Sequence, residues 1–135
     1  MALINGTYEW AKSENMQEFL VGQGATITDD LLSKVNSGTL TIKLDGNKCL
    51  MTHKTGSDLR LNDITFGENF EENFGPDIKT QSVAFFDGAK ITIISKGGGN
   101  LKETKRTYEF SERGCKITYS SPANKIEGCK YYKRA

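Results

Sequence analysis

From residue 39 onward the chain alternates. Leu40, Ile42 and Leu44 are separated by Thr41 and Lys43, the period-2 pattern of a strand with one buried face. Asp45-Gly46-Asn47 follows as a hairpin signal. The same unit, a short alternating run closed by a turn, repeats to the end. Strands are expected over 5–12, 39–44, 49–54, 59–66, 70–72, 78–86, 89–95, 101–110, 115–120 and 125–133. Turn signals lie at 55–58, 74–77, 87–88, 97–100, 111–114 and 121–124. Connections this short force antiparallel neighbours. Between the first two strands the period changes. Ser13 is placed as a helix N-cap, with Glu14 in the first turn and Met16, Phe19 and Leu20 at helical spacing. Thr28 caps a second helix, with Asp29 and Asp30 at its positive end and Leu31, Leu32 and Val35 as its stripe. Each helix is shorter than the ~12–15 residues that stand alone, so both must pack on the strands.

Ten short strands in meander order manage their edges best by closing. The expectation is therefore an all-β fold, a ten-stranded antiparallel up-and-down barrel. The two helices, over about 14–36, would cap it, and residues 1–135 would form one domain. The strand over 101–110 then becomes informative. Lys102, Thr104, Arg106, Tyr108 and Phe110 share one face, and Leu101, Glu103, Lys105, Thr107 and Glu109 share the other. Neither face is apolar. Such a strand cannot line a dry core. It can line a wide barrel interior that holds water or a polar head group.

Composition agrees. Only 36% of the residues are hydrophobic and 26% are charged, a thin allowance for a filled core. The formal net charge is +1, which provides no basic field for nucleic acid. The start of the chain has neither the charged nor the apolar region of a secretory signal. Three cysteines, Cys49, Cys115 and Cys129, are an odd set without metal-ligand spacing. Free thiols in a cytoplasmic protein are expected. The lone histidine, His53, reads as a passive strand residue, with no triad or metal set around it. Gly97-Gly98-Gly99 lacks the phosphate-loop pattern and reads as a turn. The acidic run from Glu68 to Glu72 reads as a solvated face, and Phe66, Phe70, Phe85, Phe86 and Phe110 as core. No enzyme chemistry, metal or cofactor is expected.

Several short motifs also resemble those of the intracellular fatty-acid-binding proteins. These are Gly6-x-Tyr8-x-Trp10, Ser13-Glu14-Asn15, Phe19-Leu20, Asp63-Ile64-Thr65-Phe66, Gly67-Glu68-x-Phe70-Glu71-Glu72, Asp77-x-Lys79-x-x-Ser82, Asp87-Gly88, Lys105-Arg106 and the ending Tyr132-Lys133-Arg134-Ala135. Their order and spacing extend the likeness over essentially the whole chain. The resemblance implies a lipid held in a partly hydrated cavity under a helix-turn-helix lid. It also implies a ligand carboxylate held by Arg106 on the eighth strand and by a terminal Arg-x-Tyr. That motif reads Lys130-Tyr131-Tyr132 here, so Lys130 replaces arginine, keeping the charge but losing the planar fork. Phe19, Leu20, Leu31, Leu32, Leu59 and Phe74 are the implied lid and portal residues, Leu59 standing where many members carry phenylalanine. The implied ligand is a long-chain fatty acid, with a retinoid or bile-acid-like acid as the alternative. A monomer that touches membranes transiently through its lid is the implied working form.

Overall fold

The computed structural model describes residues 4–56, 58–75, 78–97 and 102–135, with the side chains of 73–75, 78 and 97 left out. The elements are β1 (Gly6–Glu14), α1 (Met16–Gly22), α2 (Asp29–Val35), β2 (Thr39–Asp45), β3 (Lys48–Thr55), β4 (Asp58–Thr65), β5 (Asn69–Gly75), β6 (Ile78–Phe86), β7 (Lys90–Gly97), β8 (Thr104–Ser111), β9 (Gly114–Ser121) and β10 (Asn124–Arg134). The expected turns at 55–58, 74–77 and 97–100, and the strand start at Leu101, fall wholly or partly outside the described residues.

One sheet holds all ten strands in the order β4-β3-β2-β1-β10-β9-β8-β7-β6-β5. Every ladder is antiparallel. The first and last strands pair in the middle, Trp10 opposite Tyr132. The two edge strands, β4 and β5, come together side to side, and Asn62 on β4 hydrogen-bonds Glu72 on β5 at 2.8 Å across that seam. The result is a nearly closed barrel capped by two short helices.

Alternation decides what faces in. The pairs Leu40–His53, Ile42–Met51 and Leu44–Cys49 carry the inward face from β2 to β3. The pairs Arg60–His53 and Asn62–Met51 continue it to β4. An apolar cluster built on Tyr8, Leu40, Ile42, Leu44, Cys49, Ile64, Ile91, Tyr108 and Ile117 fills one part of the interior. Trp10, Phe66, Phe70, Phe86 and Phe110 pack against it. Phe85 does not join them. It alternates with the inward Ala84 and Phe86 and lies 49% exposed, because a strand can bury only one of two adjacent side chains on a given face.

A second cluster, Met16, Phe19 and Val35, sits under the helices with Leu20 and Leu31 against it. α2 starts as expected, with the Thr28 hydroxyl accepting from the Leu31 N–H at 3.1 Å. α1 does not start at Ser13. Ser13 lies in β1, where its hydroxyl accepts from Trp10 Nε1 at 2.8 Å. Asn15 precedes the helix instead, at φ 56°, a left-handed conformation that asparagine tolerates better than most residues. Gln23, just after α1, ties the lid to β8: its Nε2 donates to the Thr104 hydroxyl at 3.0 Å. No helix among the described residues is long and apolar enough to cross a membrane.

At the start of β9, a Cβ built on Gly114 would sit 1.9 Å from the Tyr132 carbonyl oxygen. Only glycine lets β9 and β10 approach this closely. Gly46 also has positive φ, at 58°, but its Cβ would meet open space. Urea unfolding should therefore separate two alanine substitutions. Gly114→Ala is expected to cost about 3 kcal/mol or more, and Gly46→Ala about 1 kcal/mol.

Candidate functional site

The barrel interior also carries a group of inward polar side chains, here called the polar layer. Its centre is Glu72 on β5, fully buried. Asn62 Nδ2 donates to its Oε2 at 2.8 Å. Its Oε1 accepts from the Ser82 hydroxyl at 2.7 Å and the Ser95 hydroxyl at 3.1 Å, and is ion-paired with Arg106 Nη2. Arg106 Nη2 also donates to the Ser95 hydroxyl at 3.2 Å. Strands β4, β5, β6, β7 and β8 thus meet on one carboxylate. Burial pushes the Glu72 carboxyl up. The Arg106 charge and the bonds from Ser82 and Arg106 outweigh that and hold it below its ordinary value.

Arg106 and Tyr119 are cross-strand neighbours. Lys130 Nζ lies 5.7 Å from the centre of the Tyr119 ring. Tyr132 follows Lys130 by two residues on the same inward face, and its ring meets His53 edge-on at 6.0 Å. Arg106, Lys130 and Tyr132 are all buried, at 4%, 7% and 3% exposure. The structure thus places these three residues in one polar layer. It differs from expectation in what they touch. Arg106 is engaged by Glu72, whereas Lys130 has no carboxylate at ion-pair distance among the described residues. The Tyr132 hydroxyl is buried without a hydrogen-bond partner among them.

Arg60, Arg106 and Lys130 face the layer, and Glu72 is its buried carboxylate among the described residues. Burial pushes the Lys130 amine down to about 7, and the Arg60 and Arg106 charges push the same way. Burial likewise drives His53 well below its ordinary value, with Arg60, Lys130 and Arg106 adding to it, so His53 is neutral near pH 7. Burial raises the Tyr132 hydroxyl, which stays protonated and able to donate.

Among the implied lid and portal residues, Phe19 is buried and its ring stands 6.1 Å from that of Tyr119. Leu20, Leu31 and Leu32 are half-buried in α1 and α2. Leu59 is 65% exposed on β4. The side chain of Phe74 lies outside the described residues. The reading of Glu68 to Glu72 as a solvated face is wrong at Glu72. That residue shares the face of Phe70, and β5 turns both inward, opposite Ser82 and Thr80. Alternation with Phe70 was the available signal. His53, Arg60, Asn62, Ser82, Ser95 and Tyr119 also belong to the layer and were not singled out as site residues. Cys49, Cys115 and Cys129 are free. Cys129 pairs with Thr118 and Cys115 with Tyr132, so the two cysteines are not opposite one another.

Lys130 costs stability. An unfolded lysine titrates near ~10.4, above the folded value of about 7. Between those values the unfolded chain binds more protons, so this cost is fully present below about pH 7 and fades as pH rises. Lys130→Met should therefore raise the stability of the ligand-free protein at pH 6.5 by about 1–4 kcal/mol. The gain should shrink by pH 9.5, as measured by urea unfolding at both values.

No protein-family model matches the chain. A fatty-acid-binding protein of Tyrophagus putrescentiae is 33% identical over 137 aligned positions, covering 99% of each chain. One from Lepidoglyphus destructor is 28% identical over the full length of both. Among solved structures, the Schistosoma mansoni fatty-acid-binding protein in complex with arachidonic acid superposes with a TM-score of 0.86 at 20% identity. It matches 100% of this chain and 98% of its own. Full-length identity at this level, on the same nearly closed barrel with its two-helix cap, places the chain in the fatty-acid-binding protein family.

Proposed function

We propose that the chain is a non-enzymatic carrier that holds one long-chain fatty acid inside the barrel, its carboxylate in the layer of Arg106, Lys130 and Tyr132. The observation that carries this reading is Lys130, buried with no carboxylate at ion-pair distance among the described residues, beside a Tyr132 hydroxyl that is buried without a hydrogen-bond partner among them. A carboxylate supplies both the missing charge and the missing acceptor. Tyr132 and Lys130 contact it directly. Arg106, already held by Glu72, contributes charge and fixes the wall against which the head group rests. The tail lies along inward apolar side chains such as Leu40, Met51, Ile93 and Ile117.

The energetics are adequate. About 15 methylenes at ~0.8 kcal/mol each offer ~12 kcal/mol of gross burial. Ordering and desolvation reduce that, leaving about 8–12 kcal/mol, or micromolar to nanomolar affinity. Passage of the ligand requires α1 and α2 to move. Two seven-residue helices have little stability of their own, so lid opening costs chiefly the small Met16–Phe19–Val35 cluster and the Gln23 bonds. The exposed Leu59 and the half-buried helix leucines form the rim through which a tail would pass and touch a membrane. The carrier works as a cytoplasmic monomer.

Displacement of a fluorescent fatty acid at pH 7 tests the head-group site. Oleate should bind at least tenfold more tightly than oleyl alcohol. Lys130→Met and Arg106→Ala should each weaken oleate by about tenfold or more, with the alcohol nearly unaffected. Equal affinity for acid and alcohol would overturn the assignment. Mass spectrometry of lipid extracted from the purified protein distinguishes a fatty acid from another apolar acid.

A further inference from the structure

We propose that Lys130 also captures long-chain aliphatic aldehydes, condensing reversibly through its Nζ to an imine inside the barrel. This rests on the reading of the polar layer as the head-group site. An aldehyde with a long tail differs from a fatty acid only at the head, so the same apolar side chains would bring its carbonyl carbon to Lys130.

Three features make this amine different from the other lysines. The first is seclusion. Lys130 is buried on the inward face of β10, whereas the lysines that form ion pairs, Lys12, Lys34, Lys90 and Lys96, have side chains about half or more exposed. The second is that no counterion lies at ion-pair distance among the described residues. Glu72 is the buried carboxylate of the layer among them, and its oxygens are taken by Asn62, Ser82, Ser95 and Arg106. The third is the set of groups that face Nζ. The Arg106 and Arg60 charges oppose protonation, His53 is neutral, and the Tyr119 ring lies 5.7 Å away. A substantial fraction of Lys130 is therefore free amine near pH 7, where an exposed lysine is almost wholly charged. Desolvation beside other cations is a recognised way to make a lysine nucleophilic.

The step balances without any further reagent. The Nζ lone pair forms the C–N bond as the carbonyl π pair moves to oxygen, which takes a proton. A second proton transfer, from nitrogen to that hydroxyl, lets water leave and yields the C=N bond. The Tyr132 hydroxyl, on the same face two residues on and otherwise without a partner, is placed to donate to the carbonyl oxygen. Hydrolysis reverses the sequence, so capture is stoichiometric and reversible.

The test uses the full-length protein with hexadecanal as the probe and cyanoborohydride to trap the imine. Intact mass should show one hexadecyl group per chain, and peptide mapping should place it on Lys130. Excess palmitate should suppress the labelling. Lys130→Arg, which keeps the charge but cannot condense in this way, should lose at least nine-tenths of the adduct while remaining folded by urea unfolding, and Lys105→Arg, outside the layer, should keep it. Labelling spread over exposed lysines, or undiminished in Lys130→Arg, would overturn the proposal. Palmitate binding by the native protein without an adduct would overturn aldehyde capture while leaving the fatty-acid reading intact. Failure to bind either probe would count against both.

Discussion

A carboxylate with no access to water sits at the middle of this barrel, and the rest of the interior is arranged around it. An isolated buried Glu72 would be prohibitively costly. The structure satisfies it with donors from four other strands: Asn62 from β4, Ser82 from β6, Ser95 from β7 and Arg106 from β8. The Asn62 bond also bridges the seam between β4 and β5. The pair's net contribution to stability need not be large, because desolvation offsets most of the attraction. Its consequence is positional. It holds Arg106 on β8 against Glu72, while Lys130 and Tyr132, two strands along the same sheet on β10, have no such partner among the described residues.

That asymmetry connects stability to function. Among the described residues Lys130 has no counterion and the Tyr132 hydroxyl no partner, and both are unfavourable when buried. In the proposed function a bound carboxylate would relieve both at once. In the proposed function the apolar part of the site would have no such specificity, since side chains like Leu40 and Ile93 would accept any tail of suitable length. Head-group chemistry would then be where lysine in place of an Arg-x-Tyr ending has its effect. A lysine can lose its proton and an arginine cannot, so the proposed site would exchange a permanent charge for one that depends on occupancy.

Much of the barrel was legible along the chain because its causes are local. Leu40, Ile42 and Leu44 alternate without interruption, the turn signals are frequent, and Thr28 caps its helix with its own hydroxyl. Arg106 and Tyr132 could be placed inward through family motifs, since alternation alone left either face open. What was not legible depended on distant partners. Glu72 looks like part of an acidic surface run until β5 pairs with β6 and an arginine 34 residues later arrives beside it. Ser13 is a plausible cap until Trp10, three residues back, claims its hydroxyl. Phe85 is as apolar as Phe86, and only the register decides which of them is buried.

The proposed head-group site places an anion beside Lys130 and Tyr132, with Lys130 gaining its proton as the ligand binds. Isothermal titration of oleate at pH 7 in buffers of different ionisation enthalpy reads this directly, because the buffer supplies any proton taken up. Uptake of roughly half a proton per ligand is expected from a group near pH 7 that becomes fully charged on binding, and Lys130→Met should abolish it. A binding enthalpy that does not change with buffer, in a protein that still binds oleate, would contradict the account.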